Sequence, residues 1–201
     1  MSRHSRRTGM TLLELLLVLA VLALLAGLSA PYLQRYLAVR ELKSNVTELR
    51  VELSGGRIKS VDTGLIYQFR SEPQGQRFVV LPYEALNTAA SEMAAHAGSE
   101  GGAPLASGHL TARCMFLPPP EASLTQATLT ERLPEEWLAQ MPNGYELRDV
   151  QWSPPLLFYP DGTASDGTVT ISDDEGRQMT LFIRGLTGGV SVGDLVYGAP
   201  Q

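Results

Sequence analysis

Gly9-Met10-Thr11-Leu12-Leu13-Glu14, followed directly by Leu15-Leu16-Leu17-Val18-Leu19-Ala20-Val21-Leu22, sets a single carboxylate at the front of a leucine-rich run. No charged side chain occurs from Leu15 to Gln34. At about 1.5 Å of rise per residue, a helix over those positions reaches about 30 Å, the thickness of a bilayer's hydrocarbon core. A carboxylate in such a helix costs about 2.5–3.5 kcal/mol at the membrane centre and less near an end. Glu14 therefore calls for a cation or a protein-lined site, which marks it as a functional residue.

The residues ahead of the run are short and basic, with Arg3, Arg6, Arg7 and His4 before Gly9. Positive charge keeps this end in the cytoplasm and sends the rest of the chain outward. An ordinary secretory signal is cut behind its apolar stretch and carries no acid within it. The pattern instead resembles the leader of the type IV pilin and pseudopilin superfamily. In that superfamily a membrane peptidase cuts after the glycine and N-methylates the new amino terminus. The resemblance implies cleavage between Gly9 and Met10, methylation of Met10, an assembly role for Glu14 at mature position five and a helix kink at Pro31. A methylated amine in a low-dielectric bundle is a natural counter-charge for the Glu14 of a neighbouring subunit.

Beyond Pro31 the pattern turns amphipathic. Leu42, Val46, Leu49 and Leu53 follow i, i+4, i+7, i+11, while Arg40, Lys43, Glu48 and Arg50 lie elsewhere around the helix. This predicts one helix continuing to Leu53, ended by the glycines of Ser54-Gly55-Gly56. Burying the four apolar side chains against a sheet contributes about 1.5–3 kcal/mol each as an upper estimate.

After the helix, Leu65–Phe69 and Arg77–Leu81 read as a hairpin around Gln74-Gly75-Gln76. The stretch from Asn87 to Gly108 is rich in Ala, Ser and Gly and reads as a loop, with a helical turn around 89–95. Thr111–Leu117 reads as a strand stopped by Pro118-Pro119-Pro120, and Leu133–Leu138 as a short helix entered at proline. Five further strand candidates, 146–150, 156–159, 169–172, 179–183 and 189–192, are punctuated by Asp-Gly, Glu-Gly and Gly-Gly turns. They predict an antiparallel meander, and with the long helix across one face the fold class is α+β.

Of the 201 residues, the leader and helix leave enough for one soluble domain. The formal charge is −5, and losing Arg3, Arg6 and Arg7 makes it −8, so the exported part offers no basic footprint for nucleic acid. Cys114 is the only cysteine, so no disulfide forms within the chain, and it reads as a small buried hydrophobe. The histidines are His4, His96 and His109; with so few, no triad or zinc cluster of known spacing assembles, and no cofactor or metal is expected. Asp161, Asp166, Asp173, Asp174 and Glu175 lack the EF-hand order and read as turn formers. Trp137 and Trp152 read as core or interface anchors.

The stretches Leu157–Gly167 and Thr187–Val192 resemble the C-terminal hairpins of the H-type minor pseudopilins of type II secretion and of their relatives among the minor pilins. The organisation expected is a leader at 1–9, a transmembrane assembly helix at 10–34, an amphipathic continuation at 35–54 and a β-rich extracytoplasmic domain at 55–201 with an insertion at about 87–125. The resemblance implies a non-enzymatic minor pseudopilin of the inner membrane. Its partners would be prepilin peptidase, other pseudopilins or pilins through the helix, and membrane lipids. A minor pilin of a type IV pilus is the nearest alternative, and a signal-anchored extracytoplasmic enzyme or binding protein the alternative of another class. Intact mass of the membrane-extracted protein should show a chain starting at Met10 with one added methyl; Gly9→Ala should slow cutting only in part, a bulky residue should block it, and retention of Met1 in peptidase-positive cells would refute the leader reading.

Overall fold

The computed structural model describes residues 12–83, 106–118, 130–139, 141 and 143–198, apart from the side chains at 26–31 and 136. The chain divides into two units, 1–39 and 40–201. Helix α1 (Leu12–Thr63) belongs to both, running 52 residues and passing through position 31 without a break. In the first unit the side chains from Leu12 to Leu25 are all exposed. Among the described residues no helix is long and apolar enough to cross a membrane, and the span expected at 10–34 includes positions outside the described set.

In the second unit the amphipathic stripe is fully used. Leu42, Val46, Leu49 and Leu53 are 0–1 % exposed and lie in one core with Tyr67, Phe69, Val80, Phe116, Phe158 and Leu181. The helix does not end at Leu53. It continues past Ser54-Gly55-Gly56 to Thr63, because the sheet supplies contacts that the apolar pattern alone does not show. At Gly56 a Cβ would stand 3.2 Å from Val80 and 3.3 Å from Phe158, so the absent side chain lets the helix lie close on the sheet. Next to it the Arg57 Nε donates to the Gly162 carbonyl at 2.8 Å, and one turn on the buried Ser60 hydroxyl reaches the Tyr159 carbonyl at 3.0 Å. The stop is Gly64, whose φ of +72° places it in the left-handed region while its N–H donates to the Ser60 carbonyl at 3.0 Å.

Two antiparallel sheets share the core. The first contains β1 (Tyr67–Ser71), β2 (Arg77–Pro82), β3 (Ala106–His109) and β5 (Leu156–Phe158), in the order β3-β2-β1-β5. The expected hairpin is β1–β2, with Phe69 opposite Val80. The second contains β4 (Cys114–Leu117), β6 (Gly167–Asp173), β7 (Arg177–Arg184) and β8 (Gly189–Val192), in the order β4-β6-β7-β8, with β9 (Val196–Tyr197) also paired to β7. Phe69 and Phe78 of the first sheet meet Phe116 of the second, with ring centroids 5.9–6.5 Å apart and the Phe116 contacts edge-on.

Four expectations need correction. The tail is not one meander: β6-β7-β8 is, but β5 pairs with β1 in the other sheet. Residues 146–150 form no strand. Gly144–Leu147 is a 3-10 helix, and Leu147 and Val150 are buried three residues apart with Tyr145 and Arg148 exposed, a helical spacing rather than a strand's alternation. The loop read to Gly108 contains β3, while β4, inside the span expected as an insertion, is the strand expected at Thr111–Leu117. The Ala-Ser-Gly-His of β3 has little strand preference but pairs with β2, Arg77 standing opposite His109. The amphipathic helix extends ten residues past the boundary expected at Leu53. The helical turn expected at 89–95 lies outside the described residues.

The first sheet is covered on both faces. Val79 and Leu81, alternating with the core-facing Phe78 and Val80, pack with Leu133, Leu138, Met141, Leu147, Val150 and Trp152 beneath helix α2 (Glu135–Leu138) and the 3-10 helix. Helix α2 is entered at Pro134, and Trp152 is fully buried, both as the sequence predicts. Two polar residues of β1 lie under this layer. Arg70 Nε donates to the Gln68 amide oxygen at 2.8 Å and Arg70 Nη1 contacts Glu131 at 3.1 Å.

Because the stripe is satisfied inside the second unit, a chain from Arg35 to Gln201 is expected to be soluble and to unfold cooperatively in urea. Within it Leu49→Ala should cost about 2–5 kcal/mol, whereas Val51→Ala on the exposed side should change stability by no more than about 0.5 kcal/mol.

Candidate assembly helix and its anchorage

Glu14 stands in the first turn of described α1, exposed, amid exposed leucines: Leu12 at 79 %, Leu13 at 75 % and Leu15 at 50 %. The surface around it is not favoured in water, since burying apolar area gains about 25 cal/mol per Å². Such a face calls for lipid or another apolar helix. Gly9 and Met10 lie outside the described residues. Pro31 lies within α1, its side chain outside the described set.

Polar ties, as well as apolar contact, hold the second half of the helix to its domain. Asn45 is 3 % exposed on the inner face of α1. Its Oδ1 accepts the Thr111 N–H at 3.1 Å, and its Nδ2 reaches the Thr111 hydroxyl at 2.8 Å, the Glu41 carbonyl at 3.0 Å and the Cys114 sulfur at 3.3 Å. Sequence reasoning passed over this residue. The available signal was an amide at i+3 from Leu42 and i−4 from Leu49, on the face the stripe assigns to the core. Cys114 is buried as expected, and burial pushes its thiol pKa up, keeping it protonated and unreactive.

The acidic turns each have an internal donor. Asp173, nearly fully buried, takes Arg177 Nε at 2.6 Å and the backbone N–H groups of Glu175 and Arg177 at 3.0 and 2.9 Å. Glu175 contacts Arg177 Nη1 at 3.2 Å, and Asp174 pairs with Arg113 at the surface. Asp166 accepts the Gly185 N–H at 2.7 Å. Asp161 accepts both the hydroxyl and the N–H of Thr163, which lowers its pKa. The turn-forming reading of these acids fits this geometry. Among the described residues no three His, Cys, Asp or Glu side chains are arranged to hold a metal ion.

A groove of about 810 Å³ lies where β5 approaches the start of β6, lined by Pro154, Pro155, Leu156, Thr168 and Phe182. Its one acid, Asp166, is the residue already bonded to Gly185. A second recess of about 540 Å³ gathers Glu72, Arg77, His109 and Glu146 beside the β1–β2 turn. There Arg77 Nη1 donates to the Glu146 carbonyl at 3.1 Å and the Arg77 N–H points to the Glu72 carboxylate at 3.4 Å.

Residues 4–30 match the family described as the prokaryotic N-terminal methylation motif. No curated protein and no solved structure matches the chain. The motif, a type IV pilin-like prepilin signal, covers Gly9, Met10 and Glu14, and it implies processing by prepilin peptidase and assembly with other pilin-like subunits.

Removing one member of the buried Asp173–Arg177 pair leaves a charge without its partner, a loss of about 3–5 kcal/mol. Asp173→Ala should therefore lower the thermal midpoint sharply. Asp174→Ala, at an exposed pair, should change stability by no more than about 1 kcal/mol.

Proposed function

We propose that this chain is a minor pseudopilin of a type II secretion system, a structural subunit of the periplasmic pseudopilus without catalytic activity of its own. The single observation that carries the reading is the prepilin motif at 4–30, with one carboxylate in a charge-free apolar run. In this reading the leader is cytoplasmic, cleavage falls between Gly9 and Met10, and Met10 is methylated. The helix over 10–34 spans the inner membrane once, and the acidic domain lies in the periplasm. Glu14 pairs with the amine of a neighbouring subunit and so sets the stagger between helices.

What favours a pseudopilin over a pilus subunit that takes up DNA is the charge of the tail. The stretch Leu157–Gly167, similar in sequence to H-type pseudopilins and to minor pilins alike, forms a turn whose Phe158 bridges to Ala164, while Thr187–Val192 closes the β7–β8 hairpin. The exposed basic stripe that DNA uptake calls for is not in the tail, where Asp173, Asp174, Glu175 and Asp194 outnumber Arg177 and Arg184.

Deletion of the gene should remove secreted proteins from the culture medium while leaving surface pili and motility unchanged. Complementation with Glu14→Ala should restore a cleaved, membrane-inserted chain but not secretion, because breaking a buried pair costs about 3–5 kcal/mol. Normal secretion with lost pili would favour the pilus subunit. An uncut leader would favour the signal-anchored protein.

A further inference from the structure

In the second sheet β4 stops short of the start of β6, and the register shows which backbone groups that leaves over. Gly193 donates its N–H to the Thr180 carbonyl at 2.8 Å. Bonding alternates along an antiparallel pair, so Thr180, Phe182 and Arg184 turn their backbone groups to β8 while Leu181 and Ile183 turn theirs to β6. Their partners Val169 and Gly167 therefore bond β7, whereas Thr168 and Thr170 face the other way, toward β4. Thr170 meets Leu117, the last residue of β4. Position 119 would continue that pairing opposite Thr168, and the sequence has proline there, which carries no N–H. Among the described residues none pairs with the backbone N–H and carbonyl of Thr168.

This unpaired edge belongs to the groove of about 810 Å³ between β5 and the start of β6. Phe69 and Val169, members of the main core, line it too, together with Leu156 and Pro155. Phe182, opposite Thr168 in the register, is 45 % exposed. The described lining makes two demands at once. Its apolar side chains call for apolar groups, and Thr168 calls for a carbonyl and an N–H at strand spacing. A lipid chain meets only the first, and a sugar chiefly the second. An extended polypeptide meets both, because alternate side chains go inward while its backbone completes the ladder. The charged residues of the described lining are Asp166 and Arg184, and Asp166 already accepts the Gly185 N–H, so the strand that fits is an uncharged one.

We propose that this groove binds an extended, uncharged segment of another polypeptide, which adds to the β6 edge at Thr168 in line with β4. The residue opposite Thr168 supplies the N–H and carbonyl, and its side chain lies on the outer face with Thr168 and Phe182. Its two neighbours point inward, to the side of Val169. The site is independent of whether the chain serves a pseudopilus or a pilus, and it gives the β-domain a binding role separate from the helix.

The probe is a fluorescently labelled acetyl-Val-Thr-Val-Thr-Val-amide, titrated against the full-length chain in detergent and followed by anisotropy. Binding is expected with a Kd of about 0.1 mM or tighter. A fully N-methylated copy keeps the apolar side chains but donates no hydrogen bond, and should bind at least about tenfold more weakly. Thr168→Pro removes only the outward N–H, since the bonds to β7 belong to Gly167 and Val169. It should keep the thermal midpoint within about 2–4 °C of wild type while weakening the peptide about tenfold. A benzophenone at the central position of the peptide reads the site in the wild-type chain, whether or not that variant folds. It should label Leu117, Phe182, or residues within 154–156 or 167–169. No binding, equal binding of the N-methylated copy, or labelling elsewhere overturns the proposal. So does a photoreactive residue in place of Phe182 that labels residues 119–129 of its own chain in the presence of the peptide, because the groove is then filled from within. Each of these failures leaves the prepilin reading standing.

Discussion

Everything in the 40–201 unit hangs on one burial: Leu42, Val46, Leu49 and Leu53, a single stripe of α1, laid into the seam between two antiparallel sheets. The sheets are joined to one another chiefly through what they share. Phe69 and Phe78 come from one, Phe116 from the other, and the helix stripe covers all three. Remove the stripe and each sheet has an apolar face with nothing to cover it, a condition short strands cannot sustain. That dependence makes the domain and the second half of the helix one folding unit.

Apolar burial has no direction, so other contacts must set where along the helix each sheet sits. Polar ties do that. Asn45 grips Thr111 from both sides, by backbone N–H to Oδ1 and by Nδ2 to hydroxyl, and so locks the helix to the approach of β4. Arg57 and Ser60 grip the carbonyls of Gly162 and Tyr159, locking the last turns to the β5–β6 connection. A slip of the helix by one residue would break every one of these bonds and strand buried polar groups, each worth about 1–3 kcal/mol. The same logic explains why α1 outruns its apolar pattern: its final turns are held by hydrogen bonds and by close approach at Gly56, not by a stripe.

The helix thus has two kinds of surface with two kinds of demand. Over 40–63 the inner face is consumed by the domain. Over the described residues 12–25 the apolar side chains are exposed, with Glu14 among them. The methylation motif over 4–30 overlaps that second surface.

The amino-acid sequence by itself carried the methylation motif over 4–30, in which basic residues, Gly9-Met10 and Glu14 in an uncharged apolar run are linear features read from spacing alone. It likewise determined the stripe, the β1–β2 hairpin, the β6–β8 meander and the burial of Cys114 and Trp152, because periods of two and 3.6 are local. Only the tertiary structure decided the rest. It divided the strands between two sheets, since pairing β5 with β1 bridges residues far apart in the chain that no local pattern connects. It turned Gly55-Gly56 from a stop into helix interior, and made β3 from residues with little strand preference. It also placed Asn45 at the seam. Each of these was settled by a partner distant in sequence, and a contact of that kind leaves no periodicity behind it.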